Sequence, residues 1–272
     1  MCDSSAHVRD RAKSPMSIDG FRPEHRDAFA AFDAEAAERI YSAIAWASRR
    51  LAVEFEGLEK IPKGRALLVA NHAFGWDIAF PMAAIWQTLH RPVWALGEHA
   101  WWKVPFVRRL VGALGTVDGT PENADKLLAR DELVLVLPGG LREAVKPREL
   151  RYRLLWGHRY GFVRTAIRNQ APIVPLAALG ADDWFDLSGD AFRRGERWLR
   201  RSGVPIPLPS RLLPIPRLVR LRYVVGDPIS PRAEPEQAED ADVVRRLRRE
   251  VEGALYELID SELAKRAGID AV

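Results

Sequence analysis

Residues 66–97 read ALLVANHAFGWDIAFPMAAIWQTLHRPVWALG, and their pattern is that of an α/β protein. The apolar run Ala66–Ala70 has the length of a strand, as does Val93–Gly97. Between them Ile78–Leu89 is too long for a strand, and it carries Pro81 in its first turn, where a missing N–H breaks no helical hydrogen bond. The alternation continues outward. Leu133–Leu137, Ile173–Ala177 and Val219–Val225 are further strand-length runs, and Pro121–Arg130, Arg159–Arg168 and Val243–Ala264 are further helical patterns. Together they predict an α/β fold with a largely buried mixed sheet flanked by helices. Upstream, Ala28–Leu51 places Phe29, Phe32, Ala36, Ile40, Ile44 and Leu51 at helical spacing, which predicts an N-terminal amphipathic helix. The prolines of SGVPIPLPSRLLPIP, residues 202–216, predict a loop or surface arm.

Composition narrows the class. A chain of 272 residues at 47% hydrophobic can bury one sizeable core. We read residues 1–20 as a disordered leader, 21–51 as a helical extension and 52–272 as the main domain. The leader lacks the apolar core of a signal peptide, and Cys2 is the only cysteine, so neither a disulfide framework nor a thiolate metal site is expected. These features predict a cytoplasmic protein. No charge-free run exceeds 13 residues, as in Ile78–His90, whereas a spanning helix needs about 20 mostly apolar residues. Net charge is only +4, yet Ala191–Arg222 holds nine arginines against one acid, Glu196. That clustering predicts an anionic partner.

Two turns carry the candidate chemistry. The first is Ala70-Asn-His-Ala-Phe-Gly-Trp-Asp77, between a strand and a helix. On one continuous helix His72 and Asp77 would lie about 140° apart, so His72 is expected on the loop, with Asp77 at the helix entrance folding back to orient its imidazole. An oriented, neutral histidine can take a proton from an alcohol as the alcohol attacks a carbonyl. Read alone, the same spacing also fits a histidine satisfied by nearby backbone and an aspartate capping the helix. The second turn is Leu137-Pro-Gly-Gly-Leu-Arg-Glu-Ala144. Gly139 and Gly140 permit a tight turn, Arg142 can pair with phosphate, and Glu143 can bind a hydroxyl or orient a basic neighbour. A third, less specific stretch, Gly112–Gly119 followed by Pro121-Glu-Asn-Ala, suggests a loop whose amides cradle an anion.

Taken in order, NHxxxxD (Asn71, His72, Asp77), GxxGxxxGxxENA (Gly112 to Ala124), LPGGLREA (Leu137 to Ala144), APIVPL (Ala171 to Leu176) and VGDPI (Val225 to Ile229) resemble the glycerolipid acyltransferases. The chain is most similar to the branch containing monoacylglycerol and diacylglycerol acyltransferases and their bacterial relatives. The resemblance spans roughly residues 50–262 and makes 52–272 an acyltransferase domain. It implies that His72 and Asp77 form the catalytic dyad, that Asn71, Gly139, Gly140, Arg142 and Glu143 bind substrate or shape the site, and that the donor is acyl-CoA or an acyl carrier protein. The phospholipid branch typically carries an arginine for glycerol phosphate in its second motif and Pro-Glu-Gly in its third. This chain has Asp118-Gly119 and Pro138-Gly139-Gly140 there, which shifts the expectation toward a neutral acylglycerol or another lipid alcohol. A phosphate-bearing acceptor of the 1-acylglycerol-3-phosphate type and a catalytically silent lipid-binding protein are the alternatives.

The expected partners are an acyl thioester donor, a lipid acceptor and an anionic membrane surface. Arg193, Arg194, Arg197, Trp198, Arg200, Arg201 and Arg211 are the candidate membrane-binding residues, at the inner face of a membrane. The competing reading pairs these arginines with the acidic stretch Glu234–Asp242. No GxSxG elbow, HExxH, Walker or dinucleotide-binding loop is visible, so neither a covalent acyl-enzyme, nor a metal, nor a redox cofactor is expected. No recognised nucleic-acid module is visible, and nucleic acid is not an expected partner.

Overall fold

The computed structural model describes residues 29–73, 77–144, 146–184 and 219–268. The leader, and the arginine-rich and proline-rich stretches from Arg193 to Pro216, lie outside the described residues. In chain order the helices are α1 (Ala34–Arg50), α2 (Ala79–Leu89), α3 (Pro105–Ala113), α4 (Pro121–Ala129), α5 (Gly140–Ala144), α6 (Gly161–Arg168), α7 (Ala181–Trp184) and α8 (Ala241–Arg266). The strands are β1 (Glu54–Glu56), β2 (Ala66–Ala70), β3 (Val93–Gly97), β4 (Thr116–Asp118), β5 (Leu133–Val136), β6 (Ile173–Leu179) and β7 (Arg222–Val225).

The seven strands form one sheet in the order β1-β7-β6-β2-β5-β3-β4. Every pairing is parallel except β6 with β7, so the sheet is mixed. β2 sits at its centre, and its five residues are all buried. Leu67 and Val69 point into one core layer and Ala66, Leu68 and Ala70 into the other, the two-residue period of a strand covered on both faces. Helices α6 and α8 cover the first layer through residues such as Val163, Ile167, Val251 and Leu255. α1 and α2 cover the second through Ala37, Tyr41, Met82 and Ile85.

Local chemistry explains the boundaries. α1 begins at Ala34 rather than near Ala28 because the Asp33 carboxylate accepts the Glu35 and Ala36 N–H groups, capping the helix there. β6 runs two residues past Ala177 because Ala178 and Leu179 pair with Tyr223 and Arg222 of β7. Pro175 has no N–H to donate, yet it lies inside this central strand. The ladder pairs Leu176 with Val225 but Ile173 with Ile229, one extra residue on the β7 side, and Pro175 falls at that irregularity. Edge strands β1 and β4, three residues each, carry too little pattern to be read from sequence. Among the described residues, no helix is long and apolar enough to cross a membrane.

Candidate active site

The site begins where β2 leaves the sheet. The Asn71 amide there replaces a peptide unit: its Nδ2 donates to the Ala178 carbonyl at 2.8 Å, and its Oδ1 accepts the Ala178 N–H at 2.7 Å. This extends the β2–β6 pairing by one position and fixes the point of departure. His72 follows on the loop, 8% exposed, with both backbone polar groups held by side chains from the Gly139–Lys146 segment. Its N–H donates to Glu143 Oε1 at 3.0 Å, and its carbonyl accepts from Lys146 Nζ at 3.2 Å.

Asp77 is fully buried and turned back on His72. Its Oδ1 lies 3.0 Å and its Oδ2 3.4 Å from His72 Nδ1, and Oδ2 also accepts the Ala73 N–H at 2.9 Å. The helix that follows takes no side-chain cap from it: the N-cap of α2 is Ile78, without a side-chain hydrogen bond. Tyr223 from β7 donates its hydroxyl to the Asp77 carbonyl at 2.8 Å. With Nδ1 on the carboxylate, the tautomer that suits this geometry leaves Nε2 as the acceptor. Burial is the largest influence on the imidazole and pulls its pKa down, but the adjacent Asp77 charge and hydrogen bond, with Glu143 behind them, outweigh it and leave the pKa raised. Asp77 is held below the ordinary carboxylate value: burial pushes it up, and His72, the Ala73 N–H and Lys146 overcome that push.

A second buried layer supports the first. Glu143, 0% exposed, uses Oε1 on His72 and Oε2 on the Leu155 N–H at 3.1 Å, and burial raises its pKa against the opposing pull of Lys146. Lys146 Nζ pairs with Asp182 at 2.9 Å, both side chains being 2% exposed, and Asp182 also accepts the Tyr152 N–H at 2.6 Å. The glycines make room for this layer. A Cβ at Gly139 would fall 1.8 Å from Glu143 Oε2, and Gly140 combines φ +53° with Arg159 Nη1 2.4 Å from where a Cβ would stand. Arg159 in turn donates to the Pro138 carbonyl at 2.9 Å.

His72 opens onto a largely apolar cavity of about 760 Å³, whose walls include Met82, Leu96, Leu137 and Phe162 as well as His72, Gly140 and Lys146. Asn71, Gly139, Arg142 and Glu143 are not among the lining residues. The polar atoms of Asn71 and Glu143 are bonded to backbone, and Arg142 is exposed. Lys146, Asp182 and Tyr223 escaped the sequence reading. Lys146 alone had a local signal, as a lysine three residues beyond Glu143 in a chain that otherwise favours arginine. The candidate anion loop at Gly112–Ala124 is differently employed: Thr116–Asp118 is a strand, the Gly119 N–H donates to Gly97, and the Thr120 N–H donates to Asp118. Buried Asp118 pairs with His99 Nδ1 at 2.9 Å. Among the described residues, no three His, Cys, Asp or Glu side chains are grouped to hold a metal ion.

Residues 52–178 match the model of the acyltransferase family. The chain is 32% identical over 177 residues to the mouse DGAT1/2-independent enzyme synthesizing storage lipids, covering 65% of this chain and 52% of that one. The human counterpart is 33% identical over 178 residues, covering 65% and 53%. An uncharacterised protein of Mycobacterium tuberculosis is 32% identical over 191 residues, covering 65% and 52%. The chain thus spans about half the length of the curated relatives it matches. Among solved structures, the 1-acyl-sn-glycerophosphate (LPA) acyltransferase PlsC from Thermotoga maritima aligns with 80% of this chain and 78% of its own, at 20% identity and a TM-score of 0.46. The likeness to the acyltransferase family thus lies in residues 52–178, the stretch that contains the His72–Asp77 pair.

Proposed function

We propose that the protein transfers a fatty acyl group from acyl-CoA or an acyl carrier protein to a hydroxyl of a glycerolipid or other lipid alcohol at a membrane surface, with His72 as general base. The observation that carries this reading is the His72–Asp77 contact of 3.0 Å at the wall of an apolar cavity of about 760 Å³. His72 Nε2 takes the proton of the acceptor hydroxyl as its oxygen attacks the thioester carbonyl. The tetrahedral adduct then collapses, the C–S bond breaks, and the leaving thiolate receives the proton from the imidazolium. Asp77 stabilises that imidazolium and holds the ring so that Nε2 faces the cavity. Neither step needs a covalent acyl-enzyme.

The cavity has the chemistry for acyl chains, since apolar walls with few polar groups bind apolar ligands. Two of the relatives are named for synthesizing storage lipids, which favours a neutral acceptor. Buried Asp118, in the motif where the phospholipid branch carries its phosphate-binding arginine, favours the same choice. The arginines from Arg193 to Arg211 remain candidates for attraction to anionic lipid. Three members of the acidic stretch proposed to neutralise them have other duties: Glu239 pairs with Arg164, Asp242 pairs with Arg245, and Asp240 caps α8. The test is lipid mass spectrometry on cells expressing the protein, with a His72→Ala control, followed by assays of labelled acyl-CoA with monoacylglycerol, diacylglycerol and lysophosphatidate. A new neutral lipid that disappears with His72→Ala is expected. A lysophosphatidate preference would replace the neutral acceptor, and equal products from both proteins would end the proposal.

A further inference from the structure

Helix α3 forms part of the cavity wall, yet it is barely attached to the core: Gly112 is the only buried residue on it. Val107, Leu110 and Val111 line the cavity, while Phe106 is 75% and Leu110 39% exposed. An isolated exposed phenylalanine would be unremarkable, but this apolar surface continues from solvent into the cavity that holds His72. Along the chain the charge next to it has one sign. From His99 to Val117 the chain carries Lys103, Arg108 and Arg109 and no acidic residue, and Lys103 and Arg109 are exposed.

From this we propose that α3 is the element that docks the protein on an anionic lipid bilayer, with Phe106 and Leu110 set among the lipid chains, so that the acceptor passes from the bilayer into the cavity without crossing water. The inference rests on the acyl-transfer reading of the same cavity. A short amphipathic helix with an apolar ridge and basic flanks lies in the interface plane and does not span it. Lys103 and Arg109 supply the attraction to anionic headgroups. Docking α3 against lipid would cover the exposed apolar ridge and bring this wall of the cavity to the membrane.

Flotation with vesicles of phosphatidylcholine and phosphatidylglycerol tests the assignment. Phe106→Asp, and separately Lys103→Glu with Arg109→Glu, should each reduce the vesicle-bound fraction at least about tenfold, with circular dichroism unchanged. Lys103 and Arg109 do not line the cavity. The charge-reversed protein should therefore keep its rate on a short-chain, water-soluble acylglycerol while losing activity on acceptor embedded in vesicles. Wild-type protein that does not float, or variants that float as it does, would overturn docking through α3 and leave the acyl-transfer proposal standing. Failure of that proposal is read separately, as turnover of the soluble acceptor retained in His72→Ala.

Discussion

Two walls of one cavity are built on opposite principles. Behind the wall that His72, Lys146 and Asp182 help to form, the side chains of Asn71, Asp77 and Glu143 are hydrogen-bonded or ion-paired inside the protein, as are the Lys146–Asp182 pair and the backbone of His72. Elsewhere in the lining α3 contributes an apolar surface that is exposed at Phe106 and Leu110, and the helix has one buried residue. With His72 as the proposed base, the first wall demands positional accuracy, because a base displaced by an ångström loses much of its rate. Buried charges enforce that accuracy only while each keeps its partner. The second wall demands only apolar area, which many side chains can supply.

The largest effect should come from the base itself. His72→Ala should lower turnover by about a thousandfold or more, within the range general-base catalysis supports, while circular dichroism and melting stay near wild type. A folded variant with near-normal rate would erase the distinction between the walls. Asp77→Asn should cost on the order of a hundredfold at the optimum, the lower end of what general acid–base catalysis contributes. It also carries a pH signature. Because the His72 pKa is raised in the folded protein, the acid limb of kcat/KM should lie above about 6.5, the ordinary histidine value. Asp77→Asn removes the charge that raises it and leaves burial, which lowers it, so the limb should move to lower pH. A limb that stays in place or moves upward would separate the measured titration from this pair.

Lys146→Met tests the supporting layer by stability. It leaves Asp182 buried without its cation, which should cost about 3–5 kcal/mol in denaturant unfolding, and Lys146→Met with Asp182→Leu should recover much of the loss. Equal stability of both variants would show that the pair is solvated in solution. The smallest effect expected is that of Glu143→Gln. Since both Glu143 oxygens accept backbone N–H groups of His72 and Leu155, the substitution should lower kcat about tenfold and leave the acceptor KM nearly unchanged. A change confined to KM would return Glu143 to the substrate side.

Legibility followed the same division. The strands at Ala66–Ala70 and Val93–Gly97 were readable to the residue, because runs buried on both faces have no polar interruptions. His72 and Asp77 were readable as a pair because five residues across a strand-to-helix turn can bring a carboxylate onto an imidazole. The residues around them were harder. Gly139 reads as a turn glycine in sequence, whereas its local reason is the Glu143 carboxylate packed where its Cβ would be. α3 was missed despite its apolar spacing: PFVRRLVGA is nine residues long and buries almost nothing, so neither length nor a core-facing stripe marks it.

By itself the sequence determined the layered α/β class, the loop placement of His72 and the order of motifs that resembles one family, because periodicity, turn residues and local spacing are properties of contiguous chain. Tertiary structure alone decided that β6 and β7 run antiparallel, that Asn71 and Glu143 turn inward to hold backbone, and that Lys146 meets Asp182, 36 residues away in sequence. Those choices depend on which buried polar groups find partners once distant segments pack. No local pattern encodes that pairing.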